Sequence, residues 1–147
     1  MTSENEMDAH SVEIGITGTQ RGLTEKQFLS LQNLLRVLHM NKIHAGDCVG
    51  VDAETILLVK ELRPEVITVG HPPTNPRKRA FLTYDEERKP LDYIPRNHAI
   101  VDESDYLIAC PKEFTEVLRS GTWATIRYAR EMGKSVIIIL PDGTWSE

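Results

Sequence analysis

Stretches of β-branched and apolar residues alternate along this chain with stretches whose apolar positions recur every three or four residues. The first, residues 12–17, reads Val-Glu-Ile-Gly-Ile-Thr and runs into Gly18, the pattern of a strand closed by a tight turn. Thr24 with Gln27 has the form of a capping box. Behind it Phe28, Leu31, Leu34, Leu35 and Leu38 make one apolar helical stripe. A short strand follows at 42–45, then a glycine-bearing loop and a helix over 51–62 that Pro64 stops. Residues 66–69 form a third short strand.

Residues 71–90 break this rhythm with several prolines, clustered cations and weak periodicity, which predicts a long functional loop or a partly ordered excursion. Regularity returns with a helix over 94–103, entered through Pro95, and a strand of buried type at 106–109. Ser120-Gly121-Thr122 opens a helix that runs to about Glu131, with Gly133 as its C′ residue. Residues 136–140 are apolar throughout, as in a parallel sheet covered on both faces. Pro141-Asp142-Gly143 then turns the chain out.

The order β-α-β-α-β-loop-α-β-α-β predicts an α/β, Rossmann-like fold. Its sheet is mostly parallel, of about five strands, with helices on both faces. Residues 1–11 are expected to be a flexible N-terminal tail and 12–147 a single domain, since 147 residues support one core.

Composition narrows the function. A net charge of −5 argues against a general affinity for nucleic acid, which needs a basic face, but leaves room for a small anionic ligand. The N-terminus lacks the basic start and apolar run of a signal peptide, and no apolar stretch is long enough to span a bilayer. Cys48 and Cys110 lie far apart without metal-type spacing. A cytoplasmic protein with two free thiols and no metal is expected.

In open α/β sheets, ligands bind where strands end and helices begin. Three such junctions here combine glycine with small or polar residues, so that backbone N–H groups can face an anion. The first is Gly18-Thr19-Gln20-Arg21-Gly22, with Arg21 as a forked cation for phosphate. Its plainer reading is a turn with a solvated arginine. The second is residues 46–52, with Gly46, Gly50 and Asp52. It lacks the Lys-Ser/Thr pair of a P-loop, and Asp52 alone can be a favourable partner for the helix dipole. The third, Ser120-Gly121-Thr122, offers N–H groups and two hydroxyls, or is an ordinary N-cap. Arg96-Asn97 adds a cation and an amide, or a surface arginine. No single junction is specific; their co-occurrence at successive junctions of one α/β pattern is considerably more informative.

This ordered set resembles the SLOG superfamily, which includes the lonely-guy phosphoribohydrolases, DprA-like and YspA-like proteins and the molybdenum-cofactor carrier proteins. The matching pieces are Ile14-Gly15-Ile16-Thr17-Gly18 with Arg21, residues 46–52, residues 96–101, residues 105–111, Ser120-Gly121-Thr122 and Gly133-Lys134-Ser135-Val136. The YspA-like and DprA-like branch is the nearest in pattern. The resemblance implies a Rossmann-like fold, a pocket for a nucleotide or nucleotide derivative, and a homodimer or higher homo-oligomer. It also marks a departure. The phosphoribohydrolases carry Pro-Gly-Gly-x-Gly-Thr-x-x-Glu, whose glutamate assists N-glycosidic cleavage. Here the Pro-Gly-Gly stretch is absent and Thr125 takes the glutamate's place. A threonine cannot serve as a carboxylate base. Arg96 matches an arginine those enzymes use.

Three functions compete. A binding module, acting as sensor, carrier or sequestering protein for a nucleotide-derived phosphate ligand, ranks first and requires no cofactor for chemistry. Its expected contacts are Gly18, Thr19, Arg21, Gly46, Gly50, Asp52, Arg96, Asn97, Ser120, Gly121 and Thr122. An N-glycosidic hydrolase acting on nucleoside monophosphates ranks second and needs another acid or base from Asp47, Asp52, Asp85 or Glu116. Binding of single-stranded DNA through the basic loop, Arg77, Lys78, Arg79, Arg88 and Lys89, ranks a distant third. That loop is better read as a clamp over a small phosphate ligand, or as a solvated charged segment.

Overall fold

The computed structural model describes residues 11–147, so the expected N-terminal tail lies, but for Ser11, outside the described residues. The elements in chain order are β1 (Glu13–Gly18), α1 (Glu25–Val37), β2 (Lys42–Ala45), α2 (Val51–Leu62), β3 (Ile67–Gly70), a 3-10 turn (Pro76–Lys78) and β4 (Glu86–Glu87). Then come α3 (Tyr93–Glu103), β5 (Tyr106–Cys110), α4 (Gly121–Glu131), β6 (Ser135–Ile139) and β7 (Trp145–Ser146).

The sheet order is β4-β3-β2-β1-β5-β6-β7. All neighbours are parallel except β6 and β7. This is the α/β architecture expected, with seven strands instead of five. The two extra strands are two-residue edges, Glu86–Glu87 and Trp145–Ser146. Both pair through the backbone and carry no alternating apolar pattern.

Strand alternation divides the core in two. Ile14, Ile16, Ile43, Ile108 and Ile139 point to one face, where Leu31, Leu34 and Leu35 of α1 and Ile56 and Val59 of α2 cover them. Leu107, Ala109, Val136 and Ile138 point to the other, under Val101 of α3 and Trp123, Ile126 and Ala129 of α4. Each of these side chains contributes roughly 1.5–3 kcal/mol when fully buried, less for alanine.

The helix ends follow local chemistry. The capping box is present: the Thr24 hydroxyl accepts from Gln27 N and the Gln27 side chain accepts from Thr24 N, both at 3.0 Å. Gln27 then departs from the expected stripe. It is fully buried, and its Nε2 donates to Pro111 O at 2.8 Å and Ile139 O at 3.0 Å, while Phe28 is exposed. Helix α4 ends as anticipated. Gly133, at φ +75°, donates to Arg130 O, and Lys134 N donates to Ala129 O, the paired bonds of a Schellman motif.

Residues 71–90 correct the expectation of a partly ordered excursion. Val49 N donates to Lys78 O and Ala80 N to Asp47 O, and Thr74 N and Leu91 N tie the base of the segment together. The segment is fastened to the loop between β2 and α2.

Candidate functional site

The chain leaves β1 toward β2, β3 and β4 on one side and returns on the other side as β5, β6 and β7. The strand order therefore reverses between β1 and β5, where the carboxyl ends Gly18 and Cys110 are register partners. A crevice opens at such a point because the two following connections run to opposite sides. A cavity of about 1100 Å³ occupies this place.

Nine of the expected contacts border it: Gly18, Thr19, Arg21, Asp52, Arg96, Asn97, Ser120, Gly121 and Thr122. The structure thus brings together the β1 turn, the start of α2, the opening turn of α3 and the start of α4. Gly46 and Gly50 are not among the lining residues. Gly46 lies behind it: an added Cβ would stand 2.6 Å from Arg96 Nη1 and 3.0 Å from Asp52 Oδ2. Gly50, at φ +92°, lets the start of α2 pass 2.5 Å, measured from an added Cβ, from Gln20 O. Both glycines act on the lining residues through packing and backbone conformation.

Gly121 behaves differently. An added Cβ would meet nothing within 4 Å, and its φ is not positive. Packing gives no reason for glycine there, and the space beside the first N–H groups of α4 is open. Ser120 caps this helix, its Oγ accepting from Trp123 N at 3.2 Å. Thr122 is mostly buried and borders the cavity.

Arg96 is buried and already engaged. Its Nη1 donates to Gly46 O at 2.6 Å and to His71 O at 3.2 Å, and its Nε donates to Asn97 Oδ1 at 2.8 Å. It clasps two strand ends while it lines the cavity, so it is a fixed positive wall and not a surface arginine. Beside it Asp52, on the first turn of α2, accepts from Cys48 N at 3.3 Å. Burial pushes the Asp52 carboxyl up to about 6, against the opposing pull of Arg96. Burial likewise raises the Cys48 thiol, which stays protonated at neutral pH.

Sequence reasoning named Arg77 and Lys78 as cations of a clamping loop but missed Lys112 and Arg119. Cations from two further places reach the cavity: Arg77 and Lys78 from the 3-10 turn, and Lys112 and Arg119 from the β5–α4 connection. With Arg21 and Arg96 they set six cationic side chains against two carboxylates, Asp52 and Glu113, in a chain of net charge −5. The signal for Lys112 and Arg119 was their place after a strand's carboxyl end; no spacing rule singles them out.

The basic loop divides. Arg77 and Lys78 border the cavity, but Arg79 bonds Asp47 at 2.8 Å and Arg88 bonds Glu103 at 2.7 Å. The candidate acids divide too. Asp47 is fully buried and accepts from Arg79, Phe81, Leu82 and Tyr84. Asp85 accepts from Thr68 and Glu116 pairs with Arg127. Of the four, Asp52 alone lines the cavity. Thr125 does not border it, and its hydroxyl donates back to Gly121 O at 2.8 Å.

The fold has a solved counterpart. The chain matches the structure of a molybdenum cofactor binding protein from the phototrophic bacterium Rippkaea orientalis. The TM-score is 0.68 at 22% identity, over 89% of this chain and 77% of that one. At this identity the likeness is one of fold. No protein-family model matches the chain, and no curated protein matches it by sequence. Among the described residues, no helix is long and apolar enough to cross a membrane.

Proposed function

We propose that this protein binds a nucleotide or nucleotide-derived phosphate ligand at the carboxyl ends of its strands, as a sensor, carrier or sequestering protein. The cavity's charge carries the reading: six cationic side chains converge at the strand-order reversal of an acidic chain. A field of this sign in a walled cleft concentrates anions. The phosphate sits at the start of α4, where Gly121 leaves open space and the N–H groups and helix dipole act together. Arg119, Lys112 and Arg21 supply charge at its rim, and Arg77 and Lys78 close over it from the 3-10 turn.

The sequence resemblance to the SLOG superfamily supports a nucleotide and a homodimer or higher homo-oligomer, and the two free thiols, Cys48 and Cys110, support a reducing, cytoplasmic setting. The fold neighbour, a molybdenum cofactor binding protein, adds a pterin-type cofactor to the ligands worth testing. The test is a thermal-shift screen of the purified protein against nucleotides, cyclic nucleotides, ADP-ribose derivatives and pterins, with chromatography of each mixture. A ligand that raises the melting temperature and is recovered unchanged supports the reading, since stabilisation reports preferential binding to the folded state. No stabilisation by any phosphate-bearing compound defeats it.

One observation favours a second reading, an N-glycosidic hydrolase. Asp52 lines the cavity, and its carboxyl, raised to about 6, lies in the range of a general acid or base at neutral pH. Recovery of free base and sugar phosphate from the same mixtures would establish turnover, and its loss in Asp52→Asn would assign it.

A further inference from the structure

The sheet face beneath α3 is apolar at β5 and β6 but carries Glu13 of β1 and Lys42 and His44 of β2. His44 of β2 is fully buried there, and His71, just after β3, is 2% exposed. His44 Nδ1 lies 2.8 Å from His71 Nε2, and His44 Nε2 lies 2.7 Å from Glu13 Oε1. Glu103, in the last turn of α3, brings a carboxylate to the same point. The ligand-type atoms of His44, His71 and Glu103 all lie within 4.8 Å of one another.

Glu13 fixes what His44 can do. A carboxylate accepts, so Nε2 carries the proton and, in the neutral ring, Nδ1 presents its lone pair toward His71. A metal-bound histidine is held in this way, with its outer N–H on a carboxylate and its inner nitrogen on the ion. Two nitrogens on one tetrahedral zinc stand roughly 3.4 Å apart, from bond lengths near 2.0–2.1 Å. The rings therefore need to part by only about 0.6 Å to admit an ion. Glu103 sits at the surface end of the cluster, where its side chain can swing inward by up to about 1.4 Å, from 4.8 Å to the ligand–ligand spacing. Arg88 holds one of its oxygens, Oε1, and leaves Oε2 available.

We propose that His44, His71 and Glu103 form a site for a divalent transition metal of zinc type, with Glu13 as the outer carboxylate that orients His44. The ligand set, two imidazoles and a carboxylate, suits zinc and its neighbours better than calcium or magnesium. The site is distinct from the anion cavity, yet it adjoins it: the His71 carbonyl accepts from Arg96 Nη1 at 3.2 Å. An ion there stiffens the far side of the cavity's arginine wall.

The test is titration of the chelator-treated full chain with Zn2+ by calorimetry and with Co2+ by visible absorption. One ion per chain is expected, with cobalt d–d bands and no thiolate charge-transfer band, which separates this site from Cys48 and Cys110. Glu103→Gln, at the surface and so expected to fold, should weaken Zn2+ at least 10-fold, and Glu13→Gln by about 10–100-fold. His71→Gln should remove the cobalt bands. Absence of one-to-one binding to the wild-type chain means a hydrogen-bonded histidine pair only, and overturns the proposal. So does binding undiminished in a folded Glu103→Gln or His71→Gln chain.

Discussion

The Tyr84 hydroxyl donates to the Asp47 carboxylate at 2.8 Å, across 37 positions of sequence. The same carboxylate takes Arg79 Nε at 2.8 Å, Leu82 N at 3.1 Å and Phe81 N at 3.2 Å. One buried side chain thus fastens the whole segment that carries Arg77 and Lys78 to the cavity. Burial and the neighbouring carboxylate also raise the Tyr84 phenol, so it remains a donor at any physiological pH. Asp47→Ala leaves a largely buried guanidinium and several N–H and O–H donors without an acceptor. We expect it to cost about 3–5 kcal/mol in chemical denaturation. Tyr84→Phe removes one donor while Asp47 keeps three, and should cost only about 1 kcal/mol.

Two glycines should respond in opposite ways. Gly50→Ala places a Cβ at φ +92° and 2.5 Å from Gln20 O, so it should lower stability by more than 1 kcal/mol. Gly121→Ala opens α4 with a better helix former in free space and should leave stability unchanged or raise it by a few tenths of a kcal/mol. Its effect belongs to binding instead: a methyl group at the phosphate site should weaken ligand at least 10-fold. Paired denaturation and calorimetry on the two variants separate the roles. An unweakened Gly121→Ala would remove the helix start from the site.

These glycines also show what was legible in the chain. Glycine between a strand and a helix marks all three junctions, because β1 and β2 are written in alternating apolar residues and β5 and β6 in continuous apolar runs. Which side of a junction a glycine faces is set by packing from elsewhere, such as Arg96 against Gly46 and Val51 against Gly18. The strands β4 and β7 were hidden for a related reason. Glu86 and Trp145 pair through backbone groups at sheet edges, and nothing in their side chains reports it. The apolar stripe of α1 misplaced Phe28 because a buried glutamine at 27 is unfavourable until Pro111 O and Ile139 O supply acceptors from distant strands. The Asp47 anchor was illegible for the same reason, its partners lying 32 to 37 positions away.

The cations of the site sort into binding and structure. Arg77, Arg119 and Arg21 border the cavity and are exposed, so replacing any one by alanine should spare stability. Each loss should weaken a phosphate ligand by about 1.5–3 kcal/mol where a direct charge-assisted hydrogen bond is removed. Arg79→Ala should do the reverse, lowering stability through Asp47 while acting on affinity only through the segment it anchors. Calorimetry of the ligand found by the thermal-shift screen, at low and high salt, checks this. The salt dependence should fall in the rim variants and stay near wild type in Arg79→Ala.

Asp52 predicts a pH dependence whose sign is opposite to that of an ordinary salt-bridged carboxylate. Its carboxyl rises from 3.8 to about 6 on folding, so the folded chain holds the proton more tightly than the unfolded one. Below about pH 4 both states are protonated and the group is neutral in its effect. Between about pH 4 and 6 the unfolded chain loses its proton first, and stability falls as pH rises. Above about 6 the cost of a buried carboxylate is fully present, at most about 3 kcal/mol. Asp52→Asn removes that cost, so it should match wild type at pH 4 and exceed it at pH 7. An anionic ligand entering beside Asp52 raises its pKa further, and binding near pH 6.5 should therefore draw a proton from solution. Calorimetry in two buffers of different ionisation enthalpy measures that uptake directly. Uptake that persists undiminished in Asp52→Asn would place the proton elsewhere and leave Asp52 a purely structural group at the start of α2.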